Sequence, residues 1–141
     1  MAKTNVKTRT GNRVEVSFDG KRVGLLQNLR MSDDYGLEPA SGVGDIHAVE
    51  NVPGMARHSL SASAMVLKQD SLREIGIAIE NGDGALQGLV FDIAVVSKDD
   101  QSVLRKYTGC SYASGDVEVS KHSIIVTNCQ FMALDVTGVG L

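Results

Sequence analysis

Three histidines, two cysteines, two adjacent acidic pairs and a row of serines are the side chains of this 141-residue sequence that could do chemistry. A helical zinc site needs a second ligand three or four residues on. His47, His58 and His122 have no second histidine or cysteine at that spacing, so each reads as a surface or loop histidine. Asp33-Asp34 and Asp99-Asp100 are chain neighbours. Neighbours on a strand point to opposite faces, so neither pair forms an acid–base couple by itself. Gly42-Val43-Gly44 opens no helix and lacks a P-loop lysine, so it is a weak phosphate cradle. Ser59, Ser61 and Ser63 alternate too regularly for a nucleophile elbow and read as one face of a strand. Cys110 and Cys129 match no metal spacing. No catalytic constellation assembles, and the chain reads as a non-enzyme without cofactor, metal or small-molecule substrate.

The elements that must position these residues belong to a folded protein. Apolar residues make up 43% and charged residues 22%, which describes a globular chain with a real core. The net charge of −3 argues against a nucleic-acid binder, which would carry a basic face. The basic segment AKTNVKTRTGNR has no interleaved aromatics and reads as a solvated N-terminal arm, residues 1–12. The first twelve residues lack the apolar core of a signal peptide, and no apolar run approaches the roughly twenty residues that span a bilayer. The expectation is a protein made, and at first kept, in the cytosol, with buried free thiols as the default for its cysteines.

Most of the chain reads as β. RVEVSF, residues 13–18, alternates with period two, and Asp19-Gly20 is a hairpin turn signal. KRVGLLQNLRM returns as the second strand. RHSLSASAMVL, residues 57–67, sets Leu60, Ala62, Ala64 and Val66 on one face and Ser59, Ser61, Ser63 and Met65 on the other. Ser71 and Glu74 make a capping box for a helix over SLREIGIAIE, stopped near Gly82. LVFDIAVV, VLRKYTGCSYAS and HSIIVTNCQF running into MALDVT are further strands, with SKDDQS as a turn and GDVEVSK as a loop. A turn at Val119-Ser120 would set Cys110 opposite Cys129, so a cross-strand disulfide stays open. The expected fold is mainly β: one domain over residues 1–141, two packed antiparallel sheets forming a barrel or sandwich, and one α-helix covering an end or edge.

One stretch does not fit a compact domain. DDYGLEPASGVGDIHAVENVPG, residues 33–54, holds both prolines, four glycines and five acidic residues between two strands. Connections usually run about four to six residues. An arm too long to pack on its own domain usually packs on a neighbour, and open sheet edges can pair with another copy. The residues therefore describe a self-assembling structural subunit. A monomeric β-barrel with the arm as a ligand lid is the rival of another class, but three tyrosines, three phenylalanines and no tryptophan furnish a poor aromatic site.

The order of motifs resembles the tail tube proteins of bacteriophages with contractile tails, which are related to the type VI secretion tube. The carrying features are the opening hairpin VEVSFDGKRVGLLQNLRM with the acidic arm, the strand RHSLSASAMVL, the helix SLREIGIAIE, and the late YTGC…SKHSIIVTNCQFMALDVTG. The phrase G-x-x-x-G-x-L-Q-N…E-P…G-x-G, Gly20 to Gly44, is the most family-like. The resemblance covers nearly the whole chain. It implies rings of six copies whose inner strands join into one barrel around a channel, and rings stacked into a tube that conducts DNA. It implies sheath, baseplate and tail terminator partners, assembly in the bacterial host cytoplasm and residence in the virion tail. A type VI secretion or bacteriocin-type tube would look much the same.

Within that frame the arm is ordered by its neighbours. Leu37, Ile46 and Val49 would be apolar anchors, with Tyr35 beside them. Asp33, Asp34, Glu38, Asp45 and Glu50 would pair with Lys3, Lys7, Arg9 or Arg13 of another copy. A channel must not hold phosphates, which a polar, net-negative lining of small side chains achieves. Glu15, Ser59, Ser61 and Ser63 are the candidates for it.

Overall fold

The computed structural model describes residues 7–22, 26–66 and 88–141. A 3-10 turn at Gly11–Arg13 leads into β1, Val14–Phe18, and β2, Lys21–Arg22. The turn between them is Asp19-Gly20, both at positive φ (54° and 79°), with Phe18 paired to Lys21. This is the twist-matched two-residue hairpin that Asp-Gly favours. β3 spans Leu26–Asp34, β4 Glu38–Ala40, β5 Glu50–Val52 and β6 Arg57–Met65. β7 is Phe91–Ser97, β8 Val103–Glu118, β9 Val126–Ala133 and β10 Asp135–Thr137.

Two sheets were expected, and the larger is instead one continuous antiparallel sheet folded over on itself. Its order is β2-β1-β7-β8-β9-β6-β3, with β10 also on β8. The 16-residue β8 joins the halves: Val103–Cys110 runs beside β7, and Ser111–Glu118 runs beside β9. Gly109, at φ +66°, lies at the junction. The fold-over is visible in the core. The Phe18 and Phe131 rings lie 5.9 Å apart, although β7 and β8 stand between their strands in the sheet. Phe91 meets Phe131 edge-on at 5.4 Å. Leu60, Ala62, Ala64, Ile93, Tyr107, Cys110, Cys129 and Ala133 complete the half-barrel interior.

β6 keeps the expected alternation, with Leu60, Ala62 and Ala64 inside. β8 departs from it. Register shifts against β7 bring Leu104, Tyr107 and Cys110 inside at every third residue, as bulges allow. The expected loop GDVEVSK is strand as far as Glu118, so the turn falls later, around Lys121-His122. Cys129 consequently pairs with Gly115 and Cys110 with Phe91, and the two buried cysteines are not joined in a disulfide. The helix expected over residues 71–80 lies outside the described residues.

Candidate functional site

The stretch from Asp33 to Gly54, expected as a long arm ordered by neighbouring copies, has strand pairing of its own. Asp33 and Asp34 close β3, and beyond them the chain forms a small antiparallel ribbon in which Glu38 faces Val52 and Ala40 faces Glu50. Three-residue strands with Pro39 in one of them give little sequence signal. β4 and β5 pair with each other and not with the larger sheet. At the neck, the Gly54 N–H donates to the Tyr35 carbonyl at 3.0 Å. A β-carbon on Gly54 would sit 3.0 Å from the Gly36 carbonyl oxygen, so the two legs cross almost in contact. At the tip, Asp45 accepts the Gly42 N–H at 2.8 Å and donates its own N–H to the Gly42 carbonyl. Gly42-Val43-Gly44 is thus the end of a ribbon.

The arm presents apolar side chains to solvent. Ile46 is 92% exposed, and Leu37, Val43, Val49 and Met55 are also open. Glu38, Asp45 and Glu50 lie exposed among them. Asp34 accepts the Gly36 N–H at 3.0 Å and helps turn the chain into the neck. Tyr35 is half exposed and sets its ring edge-on to His58, 6.1 Å away. Of the basic residues expected to meet an arm, Lys3 lies outside the described residues. Lys7, Arg9 and Arg13 come together along one open groove with Val14 and Asp99. Arg13 is engaged in its own chain, where its guanidinium donates to Asp99.

The second surface is the outer face of β3, β6, β9 and the far half of β8. Cross-strand register aligns Arg30, Ser61, Gln130 and Ser114 in one row, and Asn28, Ser63, Asn128 and Asp116 in the next. Ser63 donates to the Asn128 amide oxygen at 2.6 Å, and Asn128 donates to Asp116 at 3.0 Å. Ser59 and Ser61 border a shallow dish with Arg30, Ser32, Gln130 and Met132. Ser59, Ser61 and Ser63 therefore share one wall, away from the core. Glu15 does not join them. It alternates with core-facing Val16 and Phe18 on β1, and so points off the outer face of the opposite half of the sheet.

Sequence reasoning missed a third feature. His58, expected at the surface or in a loop, is 4% exposed. It stands directly opposite Asp33 in the β3–β6 ladder, with its Nδ1 2.7 Å from the carboxylate. Arg105 of β8 donates to the other carboxylate oxygen, and the Tyr107 hydroxyl donates to the same group at 3.2 Å. Arg105 Nε in turn donates to the Tyr107 oxygen at 3.0 Å. Burial pushes the Asp33 carboxyl up, but the His58 hydrogen bond, the Arg105 charge and the Tyr107 hydroxyl outweigh it and hold the group below the ordinary value. Asp33, expected to pair with another copy, is thus satisfied inside its own chain. The only available signal was the register of RMSDD against RHSLS, which the sequence does not fix. Among the described residues, no group of three or more His, Cys, Asp or Glu could hold a metal ion.

The profile of the Phi812 tail tube protein matches residues 3–137. No curated protein matches the sequence. Among solved structures, the sheath–tube complex of an extracellular contractile injection system (PVC, extended state) contains a similar chain. Its TM-score is 0.65 at 15% identity, over 93% of this chain and 90% of that one. The SPP1 tail tube gives 0.67 at 11% identity, over 90% and 76%. The tail of an empty gene transfer agent particle, refined with C6 symmetry, gives 0.66 at 12%, over 94% and 99%. At such identities these likenesses show a shared fold.

Proposed function

The chain belongs to the Phi812 tail tube protein family, and from that premise we propose that its copies join edge to edge into rings of six that stack into a hollow, DNA-conducting tail tube. One observation carries the ring: the four-stranded half β3-β6-β9-β8 has two open edges. Among the described residues, no strand pairs with the outer edge of β3, nor with the outer edge of Ser111–Glu118. The strands alternate in direction and their number is even. The far half of β8 in one copy can therefore meet β3 of the next as an antiparallel pair, with every copy pointing the same way. Such a head-to-tail contact closes into a ring when the rotation allows. Four strands from each of six copies, spaced about 4.8 Å, give a wall roughly 37 Å across before strand tilt widens it. The C6 symmetry of the similar gene transfer agent tail supports six.

The wall so formed carries the serine face. It offers serine, asparagine and glutamine, with Arg30 balanced by Asp116 and Glu118, and much of its polar capacity is already used across the strands. Such a surface gives passing phosphates little to hold. The arm, with its open apolar side chains and carboxylates, fits the contact between rings, and the groove of Lys7 and Arg9 is the complementary surface on another copy. Sheath and baseplate would contact the assembled tube, which is a component of the virion tail put together in the host cytoplasm. A type VI secretion or bacteriocin-type tube subunit is the second reading, and the similar chain in the sheath–tube complex of an extracellular contractile injection system supports it.

Negative-stain electron microscopy across a concentration series tests the proposal. Rings or hollow tubes are the expected result, and a variant lacking residues 37–53 should form rings that do not stack. A monomer at every concentration, with no growth on added tube fragments, would refute it.

A further inference from the structure

Asp33, His58, Arg105 and Tyr107 meet at the root of the arm although three strands from both halves of the folded sheet supply them. Asp33 is the next-to-last residue of β3 and His58 the second of β6, so each sits at one foot of the arm. Arg105 and Tyr107 come from the part of β8 that runs beside β7. The cluster therefore bolts both feet to the opposite half of the sheet. Tyr35 extends the arrangement upward, its ring edge-on to His58, which is itself edge-on to Tyr107 at 6.1 Å. Directly above lies the glycine crossing, with Gly36 at φ +58°.

Beyond that crossing, among the described residues, β4 and β5 pair with each other and with no strand of the larger sheet. A two-stranded ribbon of this size is marginal by itself. Its direction relative to the body must come through its feet. One carboxylate gripped by an imidazole, a guanidinium and a phenol, with Asp33 and Arg105 each about 20% exposed, cannot swing without abandoning partly buried charges.

We propose that this cluster is a clamp that fixes the direction of the arm, with the Gly36–Gly54 crossing as the pivot above it, and that Asp33 is the positioning residue on which stacking of rings depends. The role in stacking rests on the tube reading above; the clamp itself does not.

The test compares wild type with Asp33→Asn, and with Arg105→Lys in case the first variant folds poorly. Hydrogen exchange on the full chain reads the clamp, and tube growth by light scattering reads its use. The clamp requires arm amides, Val49 and Gly54 among them, to exchange at least tenfold faster in both variants. Amides of the β6–β9 ladder should be accelerated much less than those of the arm, and tube growth should slow at least tenfold. Arm exchange equal to wild type would overturn the clamp. Equal acceleration in the ladder would make the cluster a general stabiliser and would also overturn it. A loosened arm with tubes growing at the wild-type rate would overturn the positioning role. If wild type itself forms no tubes, the tube reading and the stacking role fail together, and the exchange comparison still decides the clamp.

Discussion

Gly138 crosses the backbone of β8 so closely that a β-carbon on it would lie 2.6 Å from the Leu104 carbonyl oxygen. Gly138 has a φ of +106°, and two residues later the Gly140 N–H donates to that same carbonyl at 3.1 Å. The tail is thereby laid along the edge of β8 beyond β10. Gly138→Ala must strain a positive φ and displace backbone together, at a cost of about 2 kcal/mol or more. In a chain of this size the melting temperature should fall by roughly 6 °C. Circular dichroism melts check this, and a variant that melts with wild type would show that the crossing is not formed.

The two cysteines should stay reduced and silent. Burial pushes the Cys110 thiol up to about 11, and Cys129 lies buried opposite Gly115 on another rung of the sheet. Thiolate is the reactive form, so neither thiol should react with Ellman's reagent until the protein unfolds. Adding reductant should leave the melting temperature unchanged. Rapid labelling of the native protein, or a reductant-sensitive melt, would contradict the structure.

Acid should find Asp33. Its carboxyl is held below the ordinary value in the folded chain, while an unfolded aspartate titrates near about 3.9. As pH falls, the unfolded chain takes up this proton first. The stabilisation is therefore complete well above pH 4 and is lost as pH drops through the lower folded value. Urea midpoints measured between pH 6 and 3 should fall more steeply for wild type than for Asp33→Asn. Parallel curves would show that the carboxylate gains nothing from its partners.

Ile46→Ser separates assembly from folding. The side chain is 92% exposed, so monomer stability should change by less than about 0.5 kcal/mol. Stacking of rings should nevertheless weaken, because an apolar anchor at the tip of the arm has been removed. Unchanged tube length and growth rate would remove Ile46 from the contact.

The half-barrel was legible wherever strands alternate without interruption. Val16 and Phe18 on β1, and Leu60, Ala62 and Ala64 on β6, lie inside as their spacing requires. Asp19-Gly20 turns the first hairpin as its chemistry dictates. The reading failed where tertiary contacts override local preference. Gly115 and Asp116 are poor strand formers and looked like loop. In the structure Gly115 pairs with Cys129 in the β8–β9 ladder, and the Tyr112 phenol lies over it, where a β-carbon would come within 2.1 Å of the hydroxyl. The ribbon of the arm was hidden by strands of three residues. The place of His58 depends on which residue of β3 stands opposite it, and a slip of one would turn Asp33 to the other face. The likeness to the family lies in the order of motifs, which alternation alone does not contain.

Between Arg30 and Arg57 there is no lysine or arginine, while Glu38, Asp45 and Glu50 all ride on the protruding ribbon. The open edges of a two-stranded ribbon are templates on which any other strand can add, and an apolar ribbon would make the free protein clump. With carboxylates on every copy, two arms that meet in solution repel each other, and the repulsion reaches about 8 Å at physiological ionic strength. In the proposed tube, the arm would thus be kept from its own kind and left free for a cationic surface. The same residues that the proposal assigns to docking would also keep unassembled chains dispersed.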